Sequence, residues 1–138
     1  MKSRDLNRIK IDLEPFKGKF DCVLFGSIVE GSTRPSSDID VALLSYGKEK
    51  KKNQKLQMEI LGIVPLKYDV RVFELFPITI KMSIIKNYEV IFGNPLEISE
   101  YFYKYRKEWD DIKHRIFSNQ FSDYLERLKL MKNLDKIM

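Results

Sequence analysis

In the run Phe25-Gly26-Ser27-Ile28-Val29-Glu30-Gly31-Ser32-Thr33-Arg34-Pro35-Ser36-Ser37-Asp38-Ile39-Asp40, a Gly-Ser pair closes one apolar segment and an Asp-x-Asp pair opens the next. Carboxylates two residues apart on a strand project to the same face, with Cα atoms about 6–7 Å apart. Asp38 and Asp40 can therefore both ligate one pair of metal ions. Oxygen-only ligands suit hard cations, and magnesium binds through a few carboxylates completed by substrate phosphates. Gly26 lets the backbone approach a phosphate with no Cβ in the way, Ser27 and nearby N–H groups can donate to triphosphate oxygens, and Gly31 permits a sharp return of the chain. Taken alone, aspartate after Ser-Ser is equally ordinary turn chemistry.

Upstream of this run, residues 20–25 read as a buried strand. Before them, Leu6, Ile9 and Leu13 recur at helical spacing over residues 3–14, with Pro15 closing the element. Downstream, a loop rich in Gly, Ser, Thr and Pro runs to Ser37, and residues 38–45 form a second strand. Leu56, Ile60 and Ile63 mark one helix face within residues 49–63. Residues 67–76 alternate as a third strand. Pro77 takes the first helical position of a helix whose inner face is Ile80, Ile84 and Tyr88, and residues 89–92 make a short edge strand. Asp69 stands in the otherwise apolar third strand, where an acid needs a reason. It is the candidate third carboxylate, to bind the catalytic metal and help deprotonate an acceptor; the competing reading is an ion pair with Arg71 or a lysine.

From Ile98, the positions Phe102, Tyr105, Trp109, Ile112 and Ile116 are spaced four, three, four, three, four, and Phe121, Leu125 and Leu128 continue the apolar pattern; Ser118-Asn119 is a candidate interruption. An unbroken helix from 96 to 134 would span ~55–60 Å at 1.5 Å per residue, longer than a domain of this size is wide. Such a stripe suits a homo-oligomer or a partner surface. Strands interleaved with helices predict an α/β fold: a small mixed sheet with helices packed on it and a long C-terminal helical segment. Residues 1–95 are the expected core, and 96–138 a helical extension of the same domain.

At 138 residues, 43% hydrophobic and 33% charged, the chain fits one globular domain. The start, Met1-Lys2-Ser3-Arg4-Asp5, leads into charged sequence rather than a secretory signal, and no run of about eighteen apolar residues exists. A soluble, cytoplasmic protein without membrane partners is expected. The lone Cys22 lies in the apolar run Cys22-Val23-Leu24-Phe25, so a buried thiol in a reducing compartment is the simple reading. The net charge of +5 favours anionic partners without naming one; the lysine run Lys48-Glu49-Lys50-Lys51-Lys52 reads first as a solvated helix start, with nucleic-acid binding as the alternative. His114, between Lys113 and Arg115, is assigned no role.

The Gly-Ser pair, ten residues, then Asp-x-Asp resembles the DNA polymerase β-type nucleotidyltransferase superfamily, and within it the minimal nucleotidyltransferases that pair with HEPN-domain proteins. Here Gly26-Ser27, Ile28 through Ser37, and Asp38-Ile39-Asp40 match that spacing. The resemblance implies a polymerase β-like fold, two magnesium ions (or manganese) on Asp38, Asp40 and Asp69, and NTP phosphates, with ATP as the expected nucleotide, held by Gly26 and Ser27. It further implies an antitoxin that adenylylates a HEPN ribonuclease toxin. Many relatives carry arginines just after Gly-Ser, where this chain has Ile28 and Glu30, so Arg34 or Arg71 is the candidate replacement. Two alternatives stand beside this reading, a non-catalytic HEPN-binding module and an RNA-binding protein.

Overall fold

The computed structural model describes residues 3–31 and 38–137. Helix α1 (Ser3–Asp12) is followed by a 3₁₀ turn over Glu14–Phe16, so Pro15 sits in that turn, just past the end of the helix. Strand β1 (Asp21–Phe25), the short helix α2 (Ser27–Glu30) and strand β2 (Ile39–Leu44) come next. They are followed by α3 (Lys50–Leu61), β3 (Tyr68–Val72), α4 (Ile78–Lys86), β4 (Glu89–Phe92) and α5 (Pro95–Ile137). The four strands form one mixed sheet in the order β3-β2-β1-β4, with β1 antiparallel to both β2 and β4 and β2 parallel to β3. The α/β class is borne out, and β4 is an edge strand as expected.

Period-two alternation sorts the strand residues onto two faces. Cys22, Leu24, Ile39, Val41, Leu43, Val70 and Val72 face α1 and α3, packing with Ile9, Leu13, Phe16 and Ile60. Val23, Ala42 and Leu44 face the other way, against Phe73, Ile84, Ile85, Ile98 and Phe102. Each of the Val, Leu, Ile and Phe side chains among them contributes ~1.5–3 kcal/mol on full burial. Cys22 is buried, and desolvation, with a smaller push from Asp21, raises its thiol pKa to about 12; it is an inert core residue at neutral pH.

Four expectations need correction. The loop after Gly26 begins as a helical turn, because Ile28 and Val29 find apolar partners in the core under α1. Strand β3 stops at Val72, since Phe73 turns into the second core and a 3₁₀ turn follows over Phe73–Leu75. On α4, Ile80 is exposed while Ile85 joins Ile84 in the core, and Tyr88 packs edge-on against Phe102 from beyond the helix end. Ser118 and Asn119 do not interrupt α5; two polar residues with helical neighbours on both sides lack the proline or glycine that would break it.

The chain divides into two compact units, residues 1–105 and 106–138. The first contains the sheet and the opening turns of α5, whose Ile98 and Phe102 are buried in it. The second is helical throughout its described length, and among its described side chains only Trp109 and Ile112 are half-buried. Among the described residues no helix is long and apolar enough to cross a membrane.

Candidate active site

The pairing of β1 with β2 sets Phe25 opposite Asp40, and the pairing of β2 with β3 sets Asp40 opposite Asp69. Directly opposed residues share a face. Phe25, Asp40 and Asp69 therefore form one row across three strands, on the face that carries Val23 and Ala42. Asp38 lies exposed just ahead of β2, two residues from Asp40.

Gly26 adopts φ 79° and ψ −151°, a region essentially restricted to glycine. A Cβ built there would lie 2.5 Å from Asp40 Oδ2. The main chain is thus pressed against the Asp40 carboxylate at the point where Ser27 opens α2. Gly31 then turns the chain in the left-handed conformation at φ 78°. Arg34 lies outside the described residues.

Partial burial raises the Asp40 carboxyl above its ordinary value, Asp69 and then Asp38 add to the rise, and Arg71 opposes it. Both other acids therefore act on Asp40 through space. Arg71 Nε donates to Asp69 Oδ1 at 3.1 Å, an exposed pair worth under about 1 kcal/mol. The third acid is consequently both a member of the row and the partner of an arginine. Among the described residues, no three acid, histidine or cysteine side chains already stand at metal-ligand spacing.

Beside Asp69 and Arg71 opens a hollow of about 310 Å³, walled by Leu61, Leu75 and Phe76. Phe76 meets Phe25 edge-on at 5.9 Å, closing the aromatic side of the row. Sequence reasoning missed this wall, because it took Phe76 for a strand residue; the loss of alternation in Phe73-Glu74-Leu75-Phe76 was the available signal. It also missed Gln57, whose side-chain amide donates to Val70 O and accepts from Val72 N, acting as a substitute neighbour for the edge strand β3. A glutamine on a helix gives no sequence sign of that role. A second hollow, of about 410 Å³ near Lys10, Lys17 and Gly93, touches none of the acids.

Residues 20–96 match the family model described as "Polymerase beta, Nucleotidyltransferase". The chain belongs to the polymerase β nucleotidyltransferase family. This nucleotidyltransferase is 41% identical over 116 residues to a "Putative protein adenylyltransferase" of Methanocaldococcus jannaschii, a match that covers 84% of this chain and 90% of that one. Its fold is similar to that of a crystallised toxin–antitoxin with AMP-PNP, at TM-score 0.61 and 17% identity over 80% of this chain and 91% of the other. It is also similar to a complex of a tri-AMPylated Shewanella oneidensis HEPN toxin with an MNT antitoxin, at TM-score 0.55 and 15% identity over 83% and 92%.

The matched segment of the nucleotidyltransferase contains Gly26, Ser27, Asp38, Asp40 and Asp69 together. Its Ile28 and Val29 pack into the core, and Glu30 is exposed. No positive charge comes from α2. Arg71 is the described cation that acts on Asp40.

Proposed function

We propose that this enzyme moves AMP from ATP to a hydroxyl of a partner protein, with Asp38, Asp40 and Asp69 holding two magnesium ions, or manganese in their place. The partner proposed is a HEPN-domain ribonuclease toxin, neutralised by the modification. The observation that carries the chemistry is the row itself: Asp40 and Asp69 in register, Asp38 within electrostatic reach, and the Gly26 backbone against Asp40. An all-carboxylate donor set fits a hard divalent cation, and the mutual repulsion felt at Asp40 is what such a cation relieves.

Bound there, the metal would supply charge neutralisation for the triphosphate and acidify the acceptor hydroxyl. Gly26, lacking a Cβ, lets the main chain lie against the Asp40 carboxylate, and Ser27 and the adjoining N–H groups donate to the leaving pyrophosphate. Asp69 accepts the acceptor's proton as the hydroxyl oxygen bonds to the α-phosphorus and the bond to the bridging oxygen of pyrophosphate breaks. Asp38 and Asp40 would hold the cations that offset the charge of the reacting phosphate. Arg71 leaves Asp69 in this arrangement and offers its charge to a phosphate instead.

The protein acceptor is supported by the 41% identical relative, described as a protein adenylyltransferase, whose length this chain nearly spans. The toxin partner and the adenine nucleotide are supported by the similar complexes, one with AMP-PNP and one with a tri-AMPylated HEPN toxin. The test is to incubate the protein with magnesium, each α-labelled NTP in turn, and a purified HEPN protein or host lysate. Label from ATP alone, on a protein and lost in Asp38→Asn, is the expected result. Neutralisation that survives Asp38→Asn without any label would leave only a binding module, and label on RNA would move the acceptor to nucleic acid.

A further inference from the structure

The row of acids has a direction. Because the strand order is β3-β2-β1-β4, Gly26 and Ser27 stand on the β1 side of Asp40 and Asp69 on its β3 side. Two strand spacings of about 4.8 Å set these ends roughly 10 Å apart. In phosphoryl transfer the attacking and leaving oxygens lie roughly in line across the reacting phosphorus. With pyrophosphate held at Gly26 and Ser27, the acceptor arrives over Asp69, from the edge of the sheet.

The hollow of about 310 Å³ beside Asp69 and Arg71 lies at that edge. It is at the lower end of the roughly 300–1,000 Å³ of pockets that hold whole ligands, so it takes an end group, and the rest of an acceptor rests on the rim. Docking by strand addition is closed at Val70 O and Val72 N, because the Gln57 amide already bonds to both. Side-chain contact is left. Leu61 walls the hollow at the end of α3, and Met58 stands one turn before it. Ile63 and Leu66 lie in the connection into β3, Leu66 three residues before Asp69. These four are 60%, 70%, 60% and 100% exposed in the order named. Single exposed apolar residues are ordinary, whereas four within residues 58–66, beside a hollow, mark a contact surface. Lys67 is the one ionised side chain in residues 62–67, too little to grip a phosphate backbone.

We infer that Met58, Leu61, Ile63 and Leu66 form a docking lip for the acceptor protein. The lip grips apolar side chains next to the residue whose hydroxyl enters the hollow and reaches Asp69. This rests on the transfer reading above, and adds to it the surface by which the acceptor is recognised. The nucleotide makes no use of the lip, since its phosphates lie at the other end of the row.

The test is steady-state transfer by the full-length protein with α-labelled ATP, magnesium and the purified HEPN protein, or in its place the protein that takes label, purified from lysate. Leu66→Asp should raise the acceptor KM about tenfold or more, and Leu61→Ser, kept neutral because it adjoins the acids, about threefold or more. In both, the KM for ATP stays within about twofold, and Leu66→Met keeps the acceptor KM near wild type. Ile11→Asp, at an exposed apolar position of α1 beside the other hollow, is the control and moves neither constant. An acceptor KM unchanged in Leu66→Asp overturns the lip and leaves the transfer reading intact. A rise in the ATP KM instead gives the hollow to the nucleotide, and a wild-type dimer that Leu66→Asp turns into a monomer gives the lip to a second copy; either result overturns the inference. A wild type that labels only RNA, or nothing, overturns the lip together with the transfer reading.

Discussion

At Asp40 the crowding of three acids has a measurable consequence. Below pH 3.8 the folded and unfolded chains both carry the proton and the group is neutral to stability. Above it the unfolded chain releases its proton while the folded one, its carboxyl raised by burial, Asp69 and Asp38, retains it. Folding is therefore opposed as pH climbs through that window, and the penalty persists to neutrality. In EDTA, Asp40→Asn should melt above wild type at pH 7, with the gap closing as pH falls below about 4; equal melting at pH 7 would show that the acids do not repel. The same variant should lose nucleotidyl transfer by at least about a hundredfold. Gly26→Ala places a Cβ 2.5 Å from Asp40 Oδ2 at a φ of 79°. It is expected to cost about 1–3 kcal/mol in urea unfolding, with transfer reduced because the carboxylate must move.

Among the elements, β3 depends most on something outside its own sequence. It is an edge strand, and its outward backbone groups at Val70 and Val72 are satisfied by the Gln57 amide from α3. Edge strands with free backbone groups invite foreign pairing. Gln57→Leu removes both bonds while keeping the volume, and should destabilise by about 1–3 kcal/mol; a midpoint unchanged in denaturant would mean that water replaces the amide without cost. The end of β2 is anchored comparably, by Ser45 Oγ donating to Asn53 Oδ1 at 2.7 Å and Asn53 Nδ2 donating to Gly47 O at 2.9 Å. Asn53 is buried, which explains a polar residue on the inner side of α3. Glu74 accepts from the Ser45 and Tyr46 amides and from Tyr101 Oη, and so ties the turn after β3 to the end of β2 and to α5.

For the molecule as a whole, the sheet's second face is closed by side chains from the opening turns of α5. Ile98 and Phe102 are 0% and 2% exposed, and Phe73 packs at a tilt against Phe102 and edge-on against Tyr105. A chain ending after Tyr105 should keep cooperative thermal unfolding. One ending at Pro95 should not, because it lays bare Val23, Ala42 and Phe73, and loss of Phe102 alone costs about 3–5 kcal/mol. If both truncations melt alike, α5 does not complete the core.

The residues from Phe25 to Asp40 were sufficient, by themselves, to indicate the family and to single out Asp38, Asp40 and Gly26 as candidates, because strand period and glycine dihedrals are local properties readable from spacing. The alternation of apolar residues likewise gave the α/β class and the extent of each strand to within a few residues, except where Phe73 left β3. Chain order made Asp69 the candidate third acid but carried no register to set it beside Asp40. Asp69 joined Asp40 only through the parallel register of β2 and β3, a pairing between residues 29 positions apart. The engagement of Arg71, the Phe25–Phe76 wall and the Gln57 clasp are likewise contacts between distant residues. They depend on how packed layers bring side chains within a few ångströms, and local pattern carries no record of that distance.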